Sequence, residues 1–115
     1  MKIEIRTSGV ECDEELRAHV ERRLGFALGR FAPAIRMATV HLSDENGPRG
    51  GVDLRCRILL QGRRLDGLVA EETATSATAA IDGAAERIGR SAARALDRAR
   101  TLQITHPRQR REAGR

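Results

Sequence analysis

Four arginines, Arg87, Arg90, Arg94 and Arg98, recur at intervals of three, four and four. On a helix turning ~100° per residue they fall within roughly 80° of one another, a single stripe along about three turns. A guanidinium stays charged at every relevant pH and forks to two phosphate oxygens, so a row of them suits a nucleic-acid backbone. The distribution of charge points the same way. Residues 1–75 hold 12 Lys and Arg against 12 Asp and Glu, whereas residues 76–115 hold 9 against 4, which supplies the whole net charge of +5. Counterion release from phosphates rewards clustered cations more than scattered ones, so a polyanionic partner is expected. The bland alternative is a solvated surface in an arginine-rich chain, in which Lys2 is the sole lysine; charge alone names no particular ligand.

Other chemistry has weaker support. Cys12, Cys56, His19, His41 and His106 are the residues that could act as nucleophile or base. Cys56 falls in the inward register of a strand and reads as a small core residue. Cys12 precedes a helix N-terminus, which lowers a thiol pKa, but no signature pairs it with His19. No Cys-x-x-Cys or His-x-x-x-His spacing offers a metal site. The glycines from Gly47 to Gly51 lack a following Lys-Ser or Lys-Thr and open no helix, so they form no phosphate-binding loop. No catalytic residue, metal, cofactor or small-molecule substrate is expected. Two cysteines make no disulfide scaffold, MKIEIRTS has no apolar run, and no stretch approaches ~20 apolar residues, so a cytoplasmic protein with reduced thiols and no membrane span is expected.

The elements that must position the arginines follow from hydrophobic periodicity. Lys2 to Ser8 alternates, with Ile3 and Ile5 on one face, and reads as a half-buried strand. Asp13 caps a helix over 14–31, with Glu14 and Glu15 in the first turn where the helix dipole favours them. Leu16, Val20, Leu24, Ala27, Leu28 and Phe31 hold its period, and Pro33 stops it. Ile35 to Ser43 is a second strand with Ala38, Val40 and Leu42 inward and Met37, Thr39 and His41 outward. DENGPRGG, residues 44–51, is a loop. Val52 to Leu60 is a third strand, Gln61-Gly62-Arg63 a tight connection, and Arg64 to Thr73 a fourth strand.

Thr75 or Ser76 caps the second helix, which is expected to end near Leu102, before Pro107. Ile81, Ala84, Ala85, Ile88, Ala92, Ala95, Leu96 and Ala99 cluster roughly 140° from the arginines, so one face packs while another presents charge. Gly83 lies on the arginine side, where glycine costs about 1 kcal/mol relative to alanine. Close approach of a backbone would account for it, as would a tolerated defect. Glu86 and Asp97 flank the stripe, placed to pair with Arg90 and Arg94. On the first helix Arg23 and Arg30 share a flank near His19, extending the basic surface if that flank faces the second helix.

The order β-α-β-β-β-α gives an α+β fold: a four-stranded mixed sheet with two helices on one face, since each element has one apolar side. Strands one and two should be parallel across the helical crossover and the remaining pairs antiparallel. One domain over residues 1–102 and a disordered basic tail over 103–115 complete the expected organisation. Without aromatics on the strands, contacts to nucleic acid are expected to be to backbone and shape.

The segments KIEIRTSGVECDEELRAHVERRL and AAIDGAAERIGRSAARALDRAR resemble the ribosome hibernation-promoting and ribosome-associated inhibitor family, also called sigma-54 modulation or S30AE proteins. Gly9-Val10 precedes the first helix and Ala79-Ala80-Ile81-Asp82-Gly83 opens the second, in the same order and spacing as in that family, and the resemblance covers residues 2–100. It implies the same fold and a protein that binds the small ribosomal subunit near the decoding region, across the paths of mRNA and tRNA. Arg87, Arg90, Arg94, Arg98 and Arg100 match the family's basic positions on the second helix. Where short members carry a dense Lys-His-Lys run, this chain has Arg94-Ala95-Leu96-Asp97-Arg98. The larger C-terminal dimerisation domain of long members has no counterpart here, so ribosome pairing through the chain's own dimer is not expected, and its oligomeric state is left open. Three other readings compete: a general double-stranded RNA binder, a protein-interaction regulator of transcription, and a small thiol enzyme.

Overall fold

The computed structural model describes the backbone of residues 1–45 and 53–110, with side chains through residue 98. Strand β1 spans Lys2–Ser8, helix α1 Glu14–Leu28, a 3-10 helix Gly29–Ala34, strand β2 Ile35–Asp44, strand β3 Leu54–Gly62, strand β4 Val69–Ala74 and helix α2 Ala77–Arg110. The strands form one sheet in the order β1-β2-β3-β4, with β1 parallel to β2 and both other pairs antiparallel. The fold is therefore the expected α+β arrangement. Both helix starts have local causes: Asp13 accepts the Leu16 N–H at 2.8 Å, and the Ser76 hydroxyl accepts the Ala79 N–H at 3.2 Å, each satisfying a donor that the first turn leaves unpaired.

Both helices cover the same face of the sheet. Val20, Leu24 and Leu28 of α1 are buried with Ala38, Val40 and Leu42 of β2 and Cys56, Ile58 and Leu60 of β3. Helix α2 adds Ala80, Ile81, Ala84, Ala85, Ile88 and Ala92. Its buried side is mostly alanine, which lets the helix backbone lie close to its neighbours and loses no side-chain entropy. Ala95 and Leu96 are partly buried against the same core. Two of the three positions between Arg94 and Arg98 are thus occupied by packing, while the third, Asp97, is exposed.

Several boundaries differ from expectation, and strand β3 runs through Gly62, so the connection expected at Gln61-Gly62-Arg63 falls at residues 63–67 instead. Helix α1 ends at Leu28 rather than 31, and the chain tightens into a 3-10 helix that contains Pro33, a common way for a helix C-terminus to close. Strand β3 starts at Leu54; Val52 and most of the expected 44–51 loop lie outside the described residues. Strand β4 starts at Val69 rather than Arg64 because Arg64 (φ 62°) and Gly67 (φ 87°) turn the chain left-handed, a region that extended strands exclude. Asp66 fixes this turn by accepting the Gly62 N–H at 2.7 Å, and Leu65 reaches into the core from within it. Helix α2 runs to Arg110 rather than ending near Leu102. Proline removes one helical hydrogen bond and strains the turn before it, yet no glycine or asparagine cap lies between Leu102 and Arg110 to stop the helix. Of the tail expected over 103–115, residues 103–110 continue the helix backbone and 111–115 lie outside the described residues.

Candidate nucleic-acid interface

Burial of the alanine and isoleucine side of α2 fixes where its arginines point. Arg87, Arg90, Arg94 and Arg98 are all exposed. The first three, with Ser91, line a groove of about 570 Å³ against Val69, Ala70 and Glu71 of the edge strand β4. The upper and lower halves of the row differ in their partners. Arg87 Nε lies 2.8 Å from Glu72 Oε1, and an Arg90 terminal nitrogen lies 3.7 Å from Glu86 Oε1, one helical turn away. Neither Arg94 nor Arg98 makes an ion pair among the described residues. Arg100 lies on the α2 backbone, with its side chain outside the described residues.

Glu72 explains a feature that the sequence left open. It sits in β4 opposite Cys56, on the face covered by the helices, between the inward residues Ala70 and Ala74. Its side chain crosses Gly83: a Cβ at that glycine would stand 2.5 Å from Glu72 Cγ, inside van der Waals contact. Gly83 therefore makes room for the carboxylate that reaches Arg87. The close approach is by a side chain of the same molecule. Alternation with Ala70 and Ala74 was the available signal that Glu72 points inward.

The flank of α1 does face α2, as the basic-surface expectation required. His19 Nε2 and Asp82 Oδ1 are 2.7 Å apart, and Arg23 Nε lies 3.1 Å from the same oxygen, although the Arg23 N–H is not directed into a hydrogen bond. This cluster ties the two helices together near the start of α2. Further along, Arg23, Arg30, Phe26 and Arg90 line a second groove of about 440 Å³ between the helices. The Arg30 guanidinium stacks over Phe31 at 4.7 Å, and that of Arg23 lies over Phe26 at 5.9 Å, within cation–π range. Phe26 itself is 84% exposed. Sequence reading passed over it; its signal was the spacing Arg23, Phe26, Arg30, which puts the three on one helical face.

The cysteines stand apart from this surface. Cys56 is buried, and burial pushes its thiol up to about 12, which leaves it un-ionised at neutral pH. The Cys12 sulfur lies 3.9 Å from the Asp13 carbonyl oxygen. His41 is exposed on the open face of the sheet, opposite Arg57. No helix among the described residues is long and apolar enough to cross a membrane.

Comparison with known proteins gives this surface a context. A family described as "Sigma 54 modulation protein / S30EA ribosomal protein" matches residues 3–100. Among solved structures, the Protein Y N-terminal domain of Thermus thermophilus superposes with a TM-score of 0.59 at 26% identity, over 79% of this chain and 94% of that one. A ribosomal subunit interface protein from Coxiella burnetii gives a TM-score of 0.57 at 15% identity, over 79% of this chain and 92% of its own, and so shares the fold. No curated protein matches the chain in sequence.

Proposed function

Because the chain belongs to the Sigma 54 modulation protein / S30EA ribosomal protein family, we propose that it is a ribosome-binding hibernation factor. In this reading it docks on the small subunit near the decoding region, through arginine-to-phosphate contacts from α2, and blocks translation by occupying the paths of mRNA and tRNA. It acts by occupancy in the cytoplasm, without catalysis. The family match supports the ribosome as partner, and one observation supports the choice of surface. Arg94 and Arg98 stand exposed without an acidic partner among the described residues, continuing the row begun by Arg87 and Arg90. Always-charged guanidinium groups projecting from one face of a helix can fork to phosphate oxygens without rearranging the backbone that carries them. Arg23 and Arg30 widen the basic surface across the helix–helix groove.

Co-sedimentation with purified small subunits tests the proposal. The wild-type chain should travel with the subunit, and changing Arg87, Arg90, Arg94 and Arg98 together to Glu should abolish this while leaving the circular dichroism melt cooperative. Undiminished co-sedimentation of that variant would rule out the arginine row as the docking surface. Competition by free duplex RNA as strongly as by subunits would mark a general double-stranded RNA binder instead.

A further inference from the structure

We propose that Phe26 is a stacking platform for one unpaired nucleobase of RNA, whose neighbouring phosphates are held by Arg30 and Arg90 in the groove between α1 and α2. The proposal rests on the reading of this helical surface as an RNA-binding one, and adds to it a contact of different chemistry. The chain has only two aromatic residues, Phe26 and Phe31. Phe31 is partly buried against the core, whereas Phe26 is 84% exposed and contributes nothing to it. An isolated exposed apolar residue is ordinary. The surroundings of Phe26 are what single it out.

Phe26 lines the groove with Arg23, Arg30 and Arg90, while Glu86 is the one carboxylate there and is held to Arg90. Positive charge therefore predominates around the aromatic ring. The Arg23 guanidinium lies over the ring at 5.9 Å and is itself anchored to Asp82. A ring with a cation on one face and most of its surface in solvent can take a base on the other face. Gly89 forms part of the groove, where α2 passes so close to α1 that an added Cβ would stand 3.0 Å from the Ala27 carbonyl oxygen. The ring and the α2 arginine are thus placed by packed backbone rather than by a loop. An aromatic interleaved with arginines is the arrangement that single-stranded nucleic acid recognises, base on the π-face and phosphates on the cations. An acidic protein partner would use the arginines but would have no need of the ring.

The chain has no tryptophan, so Phe26→Trp places a sole indole at the site. The full-length variant is titrated with end-labelled oligoadenosine of about 12 nucleotides and with an abasic ribose–phosphate strand of the same length, reading strand anisotropy and indole emission together. Oligoadenosine should quench the indole as it binds, and the abasic strand should bind without quenching. Phe26→Ala should weaken oligoadenosine roughly thirtyfold, the middle of the range for loss of one base–aromatic stack, and leave the abasic strand unchanged. Saturating anisotropy with unaltered emission, equal weakening of both strands, or no binding of either strand would each overturn the proposal. Small-subunit co-sedimentation separates it from the parent reading. Quenching retained without sedimentation leaves the stacking site standing and removes the ribosome, while sedimentation retained without quenching removes only the stack.

Discussion

The two halves of the α2 arginine row make the sharpest contrast in the molecule. Arg87 is drawn toward Glu72 of β4 and Arg90 toward Glu86, whereas Arg94 and Arg98 have no carboxylate partner among the described residues. Identical side chains on one face of one helix therefore stand in different electrostatic states. Paired arginines are oriented but partly neutralised; the others keep full charge at the expense of fixed geometry. Under the proposed function, the contrast assigns the upper half to setting the register of the helix against RNA and the lower half to supplying most of the attraction.

The largest effect that could break this division is charge reversal in the lower half. Arg94→Glu with Arg98→Glu should weaken small-subunit binding by about a hundredfold or more, because two phosphate contacts are lost and two new carboxylates repel the backbone. Melting should change little, because exposed substitutions away from packing are usually within about 0.5 kcal/mol. Equilibrium sedimentation and a thermal melt of the same preparation check both halves of the statement. A smaller effect concerns the tether of the upper half. Gly83→Ala should destabilise the fold by roughly 1–3 kcal/mol, as overpacking does, since the new methyl meets Glu72 at its Cγ. In a Glu72→Ala background the same change should instead stabilise by up to about 1 kcal/mol, the ordinary helix preference for alanine. Urea denaturation of the four chains gives the sign reversal directly. The smallest effect separates the two carboxylates. Glu72→Gln should tighten RNA binding about threefold by releasing Arg87, within the range for one exposed ion pair. Glu86→Gln should do less, because its contact is longer at 3.7 Å; fluorescence anisotropy on one RNA resolves the order.

What was legible in the sequence was whatever period alone determines. Ala38, Val40 and Leu42 alternate with Met37, Thr39 and His41, and they lie inward as alternation requires. The same holds for the buried stripe of α2, from which the exposure of the arginines followed. Features that depend on contact between distant elements were not legible. Leu65 lies in a turn rather than in β4 because Arg64 and Gly67 adopt positive φ, a choice settled by how the turn closes on Gly62. The pairing of Glu72 with Arg87 joins two elements, and Gly83 had no visible reason until Glu72 was seen to cross it. The bond between His19 and Asp82 spans α1 and α2; each residue alone looks like surface. Phe26 was overlooked because it falls outside the apolar stripe of α1, and that position is why it is exposed. The family resemblance read over residues 2–100 coincides with the family match over 3–100. The arginines assigned through it gain positions from the structure, while their role rests on the experiments above.

The salt dependence of small-subunit binding tests the phosphate account most directly. Plots of log affinity against log salt for the wild-type chain and for Arg94→Gln with Arg98→Gln should both be linear. The double variant should be shallower by about 1.4–1.8, the loss of two phosphate contacts at ~0.7–0.9 each. Equal slopes for the two chains would contradict the account, because they would mean that Arg94 and Arg98 release no counterions on binding.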